Sequence, residues 1–154
     1  MRKPWTLLAV LVLSLALAAP ALAKADGAAV YQRCFGCHQS TGGGIAGVFP
    51  PLAGHAGKLV AARRSFPIEV VLFGLKGEIE VEGKKYNGVM PALGDQLKDE
   101  EVAAVLNYVL SSWGNEKLLP KGHKKITPAE VKAVRGKKLT SEQVHEEREK
   151  LKIK

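Results

Sequence analysis

The chain has 154 residues, with 23 Lys and Arg against 15 Asp and Glu, four His and two Cys. That length suits one domain with an appendage, and an apolar fraction of 46% beside 25% charged residues excludes wholesale disorder. Two cysteines exclude a disulfide-dense scaffold, and beyond the N-terminus no run approaches the roughly 18 apolar residues of a bilayer span.

Residues 1–23 read as a secretory signal peptide. Arg2 and Lys3 form the positive n-region, Leu7 to Ala19 is the apolar stretch, and Ala21-Leu22-Ala23 is a small-x-small cleavage site. An uncleaved anchor is the alternative. Cleavage starts the mature chain at Lys24 and implies a periplasmic, extracytoplasmic location. Its charge is uneven. Residues 24–116 hold 9 basic and 10 acidic side chains, whereas 117–154 hold 12 basic and 5 acidic. Basic tails bind nucleic acid or anionic surfaces. Export argues against nucleic acid, which leaves an anionic membrane surface or an acidic protein as the tail's candidate partner.

In chain order, Asp26 to Cys34 reads as a short helix capped by Asp26. A long Gly- and Pro-rich loop follows from Gln39 to Gly57, of a length that in compact domains is functional or wrapped around something. Pro67 to Phe73 reads as a buried helix stopped by Gly74. Glu78 to Glu82 alternates with period two before Gly83 and Lys84-Lys85-Tyr86, predicting a hairpin with Ile79 and Val81 inward and glutamates opposite lysines. Asn87 to Gly94 reads as a loop. Asp99 to Trp113 is the strongest helix, with Val102, Val105, Leu106, Val109 and Trp113 on one stripe. The tail carries two capping boxes, at Thr127 to Glu130 and Thr140 to Gln143, separated by the helix stop Gly136. Such short, charged helices need Val131, Val134, Val144 and Leu151 to dock on the main body.

The chemistry centres on Cys34-Phe35-Gly36-Cys37-His38. Two thiols at this spacing can each add to one vinyl group of a single haem, and the adjacent imidazole then falls beneath the iron; this is the c-type attachment signature. A thioredoxin-like dithiol needs a βαβ setting that is not visible, and a zinc site needs a second ligand pair that the sequence lacks. A plain disulfide leaves His38 unexplained. Once Met1 leaves with the signal, Met90 is the sole methionine. It sits in a Gly88-Val89-Met90-Pro91 loop ill-suited to a core filler, and is the candidate sixth ligand. His55 is the competing ligand, disfavoured because it should share His38's side of the ring. His123 and His145, in the charged tail, are expected to be solvated.

With these residues the sequence resembles the class I mono-haem cytochromes c over Asp26 to Trp113. Gly27 and Tyr31 precede Cys34 at that family's spacing, Val105 and Tyr108 match its C-terminal helix contact, and Phe49 to Gly54 and Tyr86 to Pro91 match two further segments. The glutamate–lysine hairpin and basic tail are similar to those of long-tailed soluble cytochromes c of thermophilic bacteria that donate to a haem–copper terminal oxidase.

The resemblance implies a mostly α fold with a small hairpin and a C-terminal helical extension. The expected divisions are signal peptide 1–23, haem domain 24–116 and extension 117–154. It further implies that the Pro50 carbonyl orients His38, that Leu52 packs on the haem, and that Gly27 permits close helix crossing. Tyr86, Asn87, Arg63 and Arg64 become candidates to reach the haem propionates or the Met sulfur. The family's propionate-contacting Trp is not matched, since Trp113 lies in the last helix.

Axial ligands His38 and Met90 fill both positions on the iron, which points to a one-electron carrier and not an enzyme. A monomer is expected, with a quinol:cytochrome c reductase-type donor and a terminal oxidase acceptor. The alternatives are a haem-c subunit of a larger redox enzyme and a gas-binding haem sensor. The uncharged haem edge around Phe35 and Met90-Pro91 favours a small transient interface, with the tail on the opposite side as a strap.

Overall fold

The computed structural model describes residues 24–153; the expected signal peptide lies outside the described residues. Asp26 caps α1 (Gly27–Tyr31), its Oδ1 accepting from Ala28 N at 3.0 Å. The motif residues continue into α2 (Phe35–His38). After the long loop come α3 (Ala56–Ala62) and α4 (Phe66–Phe73), then α5 (Asp99–Leu110). Glu101 in α5 accepts from Lys98 N at 2.8 Å, and three acids fill its first turn, where the helix dipole favours them.

α1 crosses α5, and Val30, Tyr31, Val102, Val105, Leu106 and Val109 are buried together there. The crossing depends on Gly27: a Cβ at that position would fall 2.2 Å from the Ala104 carbonyl oxygen, which is backbone and cannot yield. Gly27→Ala is therefore expected to lower unfolding free energy by about 1–3 kcal/mol, the usual range for overpacking. Denaturant titration of the haem-loaded protein checks this, and an unchanged midpoint counts against so tight a crossing.

α5 ends three residues before the Trp113 that its periodicity predicted. Ser111 and Ser112 turn their hydroxyls back onto the Asn107 and Tyr108 carbonyls, and this local bonding competes with the helix. Trp113 takes φ +53° and packs against Tyr31, tilted, and Tyr108, edge-on, ring centroids 5.2 and 5.8 Å away.

The hairpin pairs β2 (Ile79–Val81) with β3 (Lys84–Tyr86) in the register Ile79↔Tyr86 and Glu80↔Lys85. Ile79 and Val81 are buried, and Lys85 Nζ lies 2.8 Å from Glu78. A second, shorter ladder joins β1 (Leu75–Lys76) to β4 (Val89–Met90), Leu75 opposite Met90. The sequence pattern predicts only loop over β4, because two-residue strands carry no periodicity.

The C-terminal segment forms α6 (Pro128–Arg135) and α7 (Ser141–Leu151), each started by its predicted capping box. Val131, Val134 and Val144 are buried and Leu151 is half-buried, so the docking that short charged helices need is present. α6 packs on α4 and α5, and α7 packs on α4 and β1. Polar clasps fix the seam. The Asn107 side chain exchanges two 2.8 Å hydrogen bonds with the Ile126 backbone, and Arg135 Nε donates to Asp99 at 2.8 Å.

Arg63 and Arg64 join this seam and do not line the haem cleft described below. Arg63 pairs with Glu69 and, at 2.6 Å, with Glu147; Arg64 pairs with Glu130 at 2.6 Å. The two tail histidines are also engaged: His145 Nε2 donates to the Glu78 carbonyl at 2.7 Å, and His123 Nδ1 lies 3.3 Å from Arg64. Local sequence suggests free surface or cofactor contacts for all four, since, Glu69 apart, these partners are 59 to 84 residues away.

Two tail carboxyls stand well below the ordinary range. The Arg64 guanidinium brings Glu130 down to about 2, and Lys150 with Arg63 brings Glu147 down to about 2. Depressed carboxyl pKa values favour the folded state above the unfolded value near 4.5, and that support is lost as pH falls toward 2. Acid is therefore expected to loosen α6 and α7 before the α1–α5 core. Hydrogen exchange between pH 5 and 2 checks this, and uniform loss of protection across the chain contradicts it.

Candidate haem site

One cleft is walled by the α1–α2 junction, the long loop, α4, the hairpin and β4. The cleft is partly open to solvent at its mouth. Its walls are chiefly apolar side chains, among them Leu59, Phe66, Val70, Ile79, Val81 and Leu93. The expected thioether and iron-ligand residues, with the two haem-packing residues, line it: Cys34, Cys37, His38, Met90, Pro50 and Leu52.

The motif stays in one turn because Cys37 and His38 amides both donate to the Cys34 carbonyl, at 3.2 and 2.9 Å. Both thiols are half-buried. Burial, then Cys37, pushes the Cys34 thiol up, opposite to the depression that a thiolate nucleophile requires. Among the described residues no three His, Cys, Asp or Glu converge as a metal cluster, so a protein-only zinc site has no ligand set.

His38 is buried, with Nδ1 3.0 Å from the Pro50 carbonyl. A carbonyl only accepts, so Nδ1 carries the proton and the Nε2 lone pair is left available. Burial holds the imidazole below its ordinary pKa, outweighing the upward pull of the Pro50 bond, so it is neutral at physiological pH.

Met90 is half-buried, and its backbone is held by pairing with Leu75. Gly74 makes that pairing possible. It takes φ +76°, and a Cβ there would lie 2.5 Å from the Met90 carbonyl oxygen. Four large apolar side chains are exposed, between 40% and 54%: Val89, which lines the cleft, Phe35 within the motif, and Ile45 and Val48 of the long loop.

Two further polar residues of the wall, outside the motif, are buried. His55 is buried at the start of α3, and Arg148 reaches in from α7, only 3% exposed. Arg148 Nη2 lies 3.4 Å from His55 Nε2 and 3.1 Å from the Glu80 carbonyl. The tail thus forms part of the cleft and is not confined to the far side. Sequence reasoning misses Arg148, because nothing local separates it from its charged neighbours. Tyr86 is a buried wall residue, whereas Asn87 does not line the cleft.

The donor set fits haem c: two thiols three residues apart, a neutral imidazole with an available lone pair, a thioether, and apolar walls for a porphyrin. The family model for cytochrome c matches residues 24–113. One cytochrome c-552 of Thermus thermophilus is 55% identical over 136 residues, 87% of this chain and 90% of that protein. A second Thermus thermophilus cytochrome c-552 is 54% identical over 133 residues, 85% of this chain and all of that protein. The cytochrome c subunit of a quinone-dependent alcohol dehydrogenase from Komagataeibacter europaeus is 33% identical over 96 residues, 61% of this chain but only 20% of that protein. With more than half its length matched and the two Thermus relatives spanning most of it, the chain belongs to the cytochrome c family as a class I mono-haem member, an electron carrier bearing one covalently bound haem c.

Proposed function

We propose that this chain shuttles single electrons outside the cytoplasm, from a quinol:cytochrome c reductase-type donor to a haem–copper terminal oxidase, as a monomer. Cys34 and Cys37 would hold the haem through two thioether bonds, and His38 and Met90 would ligate its iron. Pro50 fixes the His38 ring and tautomer, and Leu52 packs against the porphyrin. When bound, the haem supplies a reversible one-electron ferric/ferrous couple. The protein's part is to leave no coordination position for substrate and to keep the iron's surroundings unchanged between the two states. A thioether favours the ferrous form and so raises the potential.

The observation carrying this reading is the Nδ1–Pro50 bond, which turns a neutral His38 lone pair into the cleft that also receives Met90. The exposed apolar rim favours brief docking over permanent assembly, since transient redox encounters use small interfaces. Residues 1–23 would direct export, and the basic tail offers an anionic membrane a landing face.

Similarity to a dehydrogenase subunit favours one second reading, a haem-c module fixed in a larger enzyme. Reduced pyridine haemochrome spectra and mass measurement test covalent haem, and carbon monoxide uptake tests for an open iron. Gel filtration of native extract then separates a free carrier near its own mass from a subunit running with partners. A colourless product with two alkylatable thiols sinks both readings.

A further inference from the structure

Arg148 and His55 are features of the cleft that the expected iron ligands and thioethers leave unexplained. Arg148 is a guanidinium at 3% exposure in a largely apolar wall. Among the described residues no carboxylate lies within 4 Å of it; its partners are a carbonyl and an imidazole. An unpaired buried charge is costly, and buried charges are normally matched. Beside it, His55 has lost Nε2 to the guanidinium, and its Nδ1 is buried with no hydrogen-bond partner; Glu82 stands too far, at 3.8 Å.

The other charged groups around the pair do not supply the missing anion. Lys58 and Glu82 flank His55 at the surface and pair with each other. Glu78, Glu80, Lys85, Glu149 and Lys152 lie with Arg148 along an outer groove and are exposed, and Arg33 is exposed at the cleft. The cleft therefore presents a desolvated cation and an imidazole N–H to whatever fills it. Haem brings two carboxylates on flexible arms.

Resting on the haem assignment above, we propose that Arg148 and His55 bind the haem's propionate carboxylates, which makes the C-terminal extension a cofactor-holding element and a determinant of the redox potential. A guanidinium matches a carboxylate in charge and in its fork of donors. The short helix α7 carries this arginine in from the far end of the chain. Its docking through Val144, with half-buried Leu151 packed beside it, then serves the haem as well as the fold.

The test uses matured holoprotein of the wild type, Arg148→Gln and Arg148→Lys, with haem carrying carbon-13 in its carboxyl groups. Infrared redox-difference spectra and midpoint potentials are recorded from pH 5 to 9. In wild type the carboxylates stay ionised and the potential is nearly flat with pH. Arg148→Gln lowers the potential at high pH, because a lost positive charge favours ferric iron. A unit charge about 10 Å away at an effective dielectric of about 40 shifts the ferric-to-ferrous ratio about fourfold.

In the same variant a labelled protonated-carboxyl band appears as pH falls, and the potential climbs with it. Arg148→Lys keeps most of the wild-type potential. A merely structural arginine would move the melting temperature and leave label and potential alone; that result in folded Arg148→Gln overturns the proposal. If Arg148→Gln fails to mature, His55→Asn and Arg148→Lys take the same measurements, and no change of labelled bands in either overturns it. Loss of the haem spectrum in wild type is a different failure, that of the haem assignment.

Discussion

Met90→Ala is expected to leave a covalently loaded, coloured protein that has lost the weak far-red sulfur-to-iron band of the oxidised form. The β1–β4 pairing is made by backbone groups, so removing the thioether need not disturb the loop that presents it. The midpoint potential should fall by on the order of 0.1–0.2 V, since axial ligands are the coarse control of a haem couple that spans about 0.8 V. At about 59 mV per tenfold, such a drop changes the electron-sharing equilibrium with a fixed partner by roughly 50-fold or more. The reduced variant should also bind carbon monoxide, which wild type is expected to exclude. Met90→His separates the two effects, with the position closed but the potential still low. Persistence of the far-red band in Met90→Ala would remove Met90 from the iron.

Electron carriage requires little reorganisation, and the surroundings of each proposed ligand are built to resist movement. His38 is tied to Pro50 through Nδ1, Cys34 and Cys37 share one hydrogen-bonded turn, and Met90 is paired to Leu75 against Gly74. These restraints come from separate stretches of chain. They are brought together by α4 and the hairpin behind them and by α7 across one end.

What can be read from sequence divides along physical lines. The CxxCH motif is legible because covalent chemistry fixes its spacing within five residues. The capping boxes at Thr127 and Thr140 are legible because they are local hydrogen-bond patterns, and the hairpin because period two survives over Glu78 to Glu82 ahead of a Gly turn. The lone methionine is legible through its Gly/Pro-bounded setting, although the two-residue strand that holds it is not. Arg148 is invisible. Its role depends on α7 crossing to the hairpin and α3, and Arg-Glu-Lys on a charged helix looks the same whether it faces water or a cofactor. Arg63 and Arg64 fail in the opposite direction. Proximity in sequence to the haem segments suggests propionates, but nearby Glu69 and the tail carboxylates Glu130 and Glu147 capture them.

Glu69→Ala should be the most destabilising exchange outside the cleft, at about 2–4 kcal/mol, a discounted form of the cost of breaking a buried pair. Glu69 is completely buried in α4, yet it takes Arg63 from α4's N-terminal flank and Lys137, at 2.7 Å, from the end of α6. Ser65 Oγ donates to it at 3.2 Å. Removing one partner of a buried ion pair typically costs about 3–5 kcal/mol, because the other charge is left uncompensated. That range is lowered here because both cations reach solvent, Arg63 at 31% and Lys137 at 46% exposure. By the same reasoning Lys137→Ala should cost under about 1 kcal/mol, since the carboxylate keeps Arg63 and Ser65. The double variant should be less unstable than the sum of the singles, because Lys137 has nothing to lose once Glu69 is gone. Hydrogen exchange should show the damage concentrated in α6 and α7, the elements Glu69 fastens to the haem-bearing body. Chemical unfolding of the four holoproteins decides the matter: a Glu69→Ala loss no larger than that of Lys137→Ala would mean this carboxylate is not the hub of the seam.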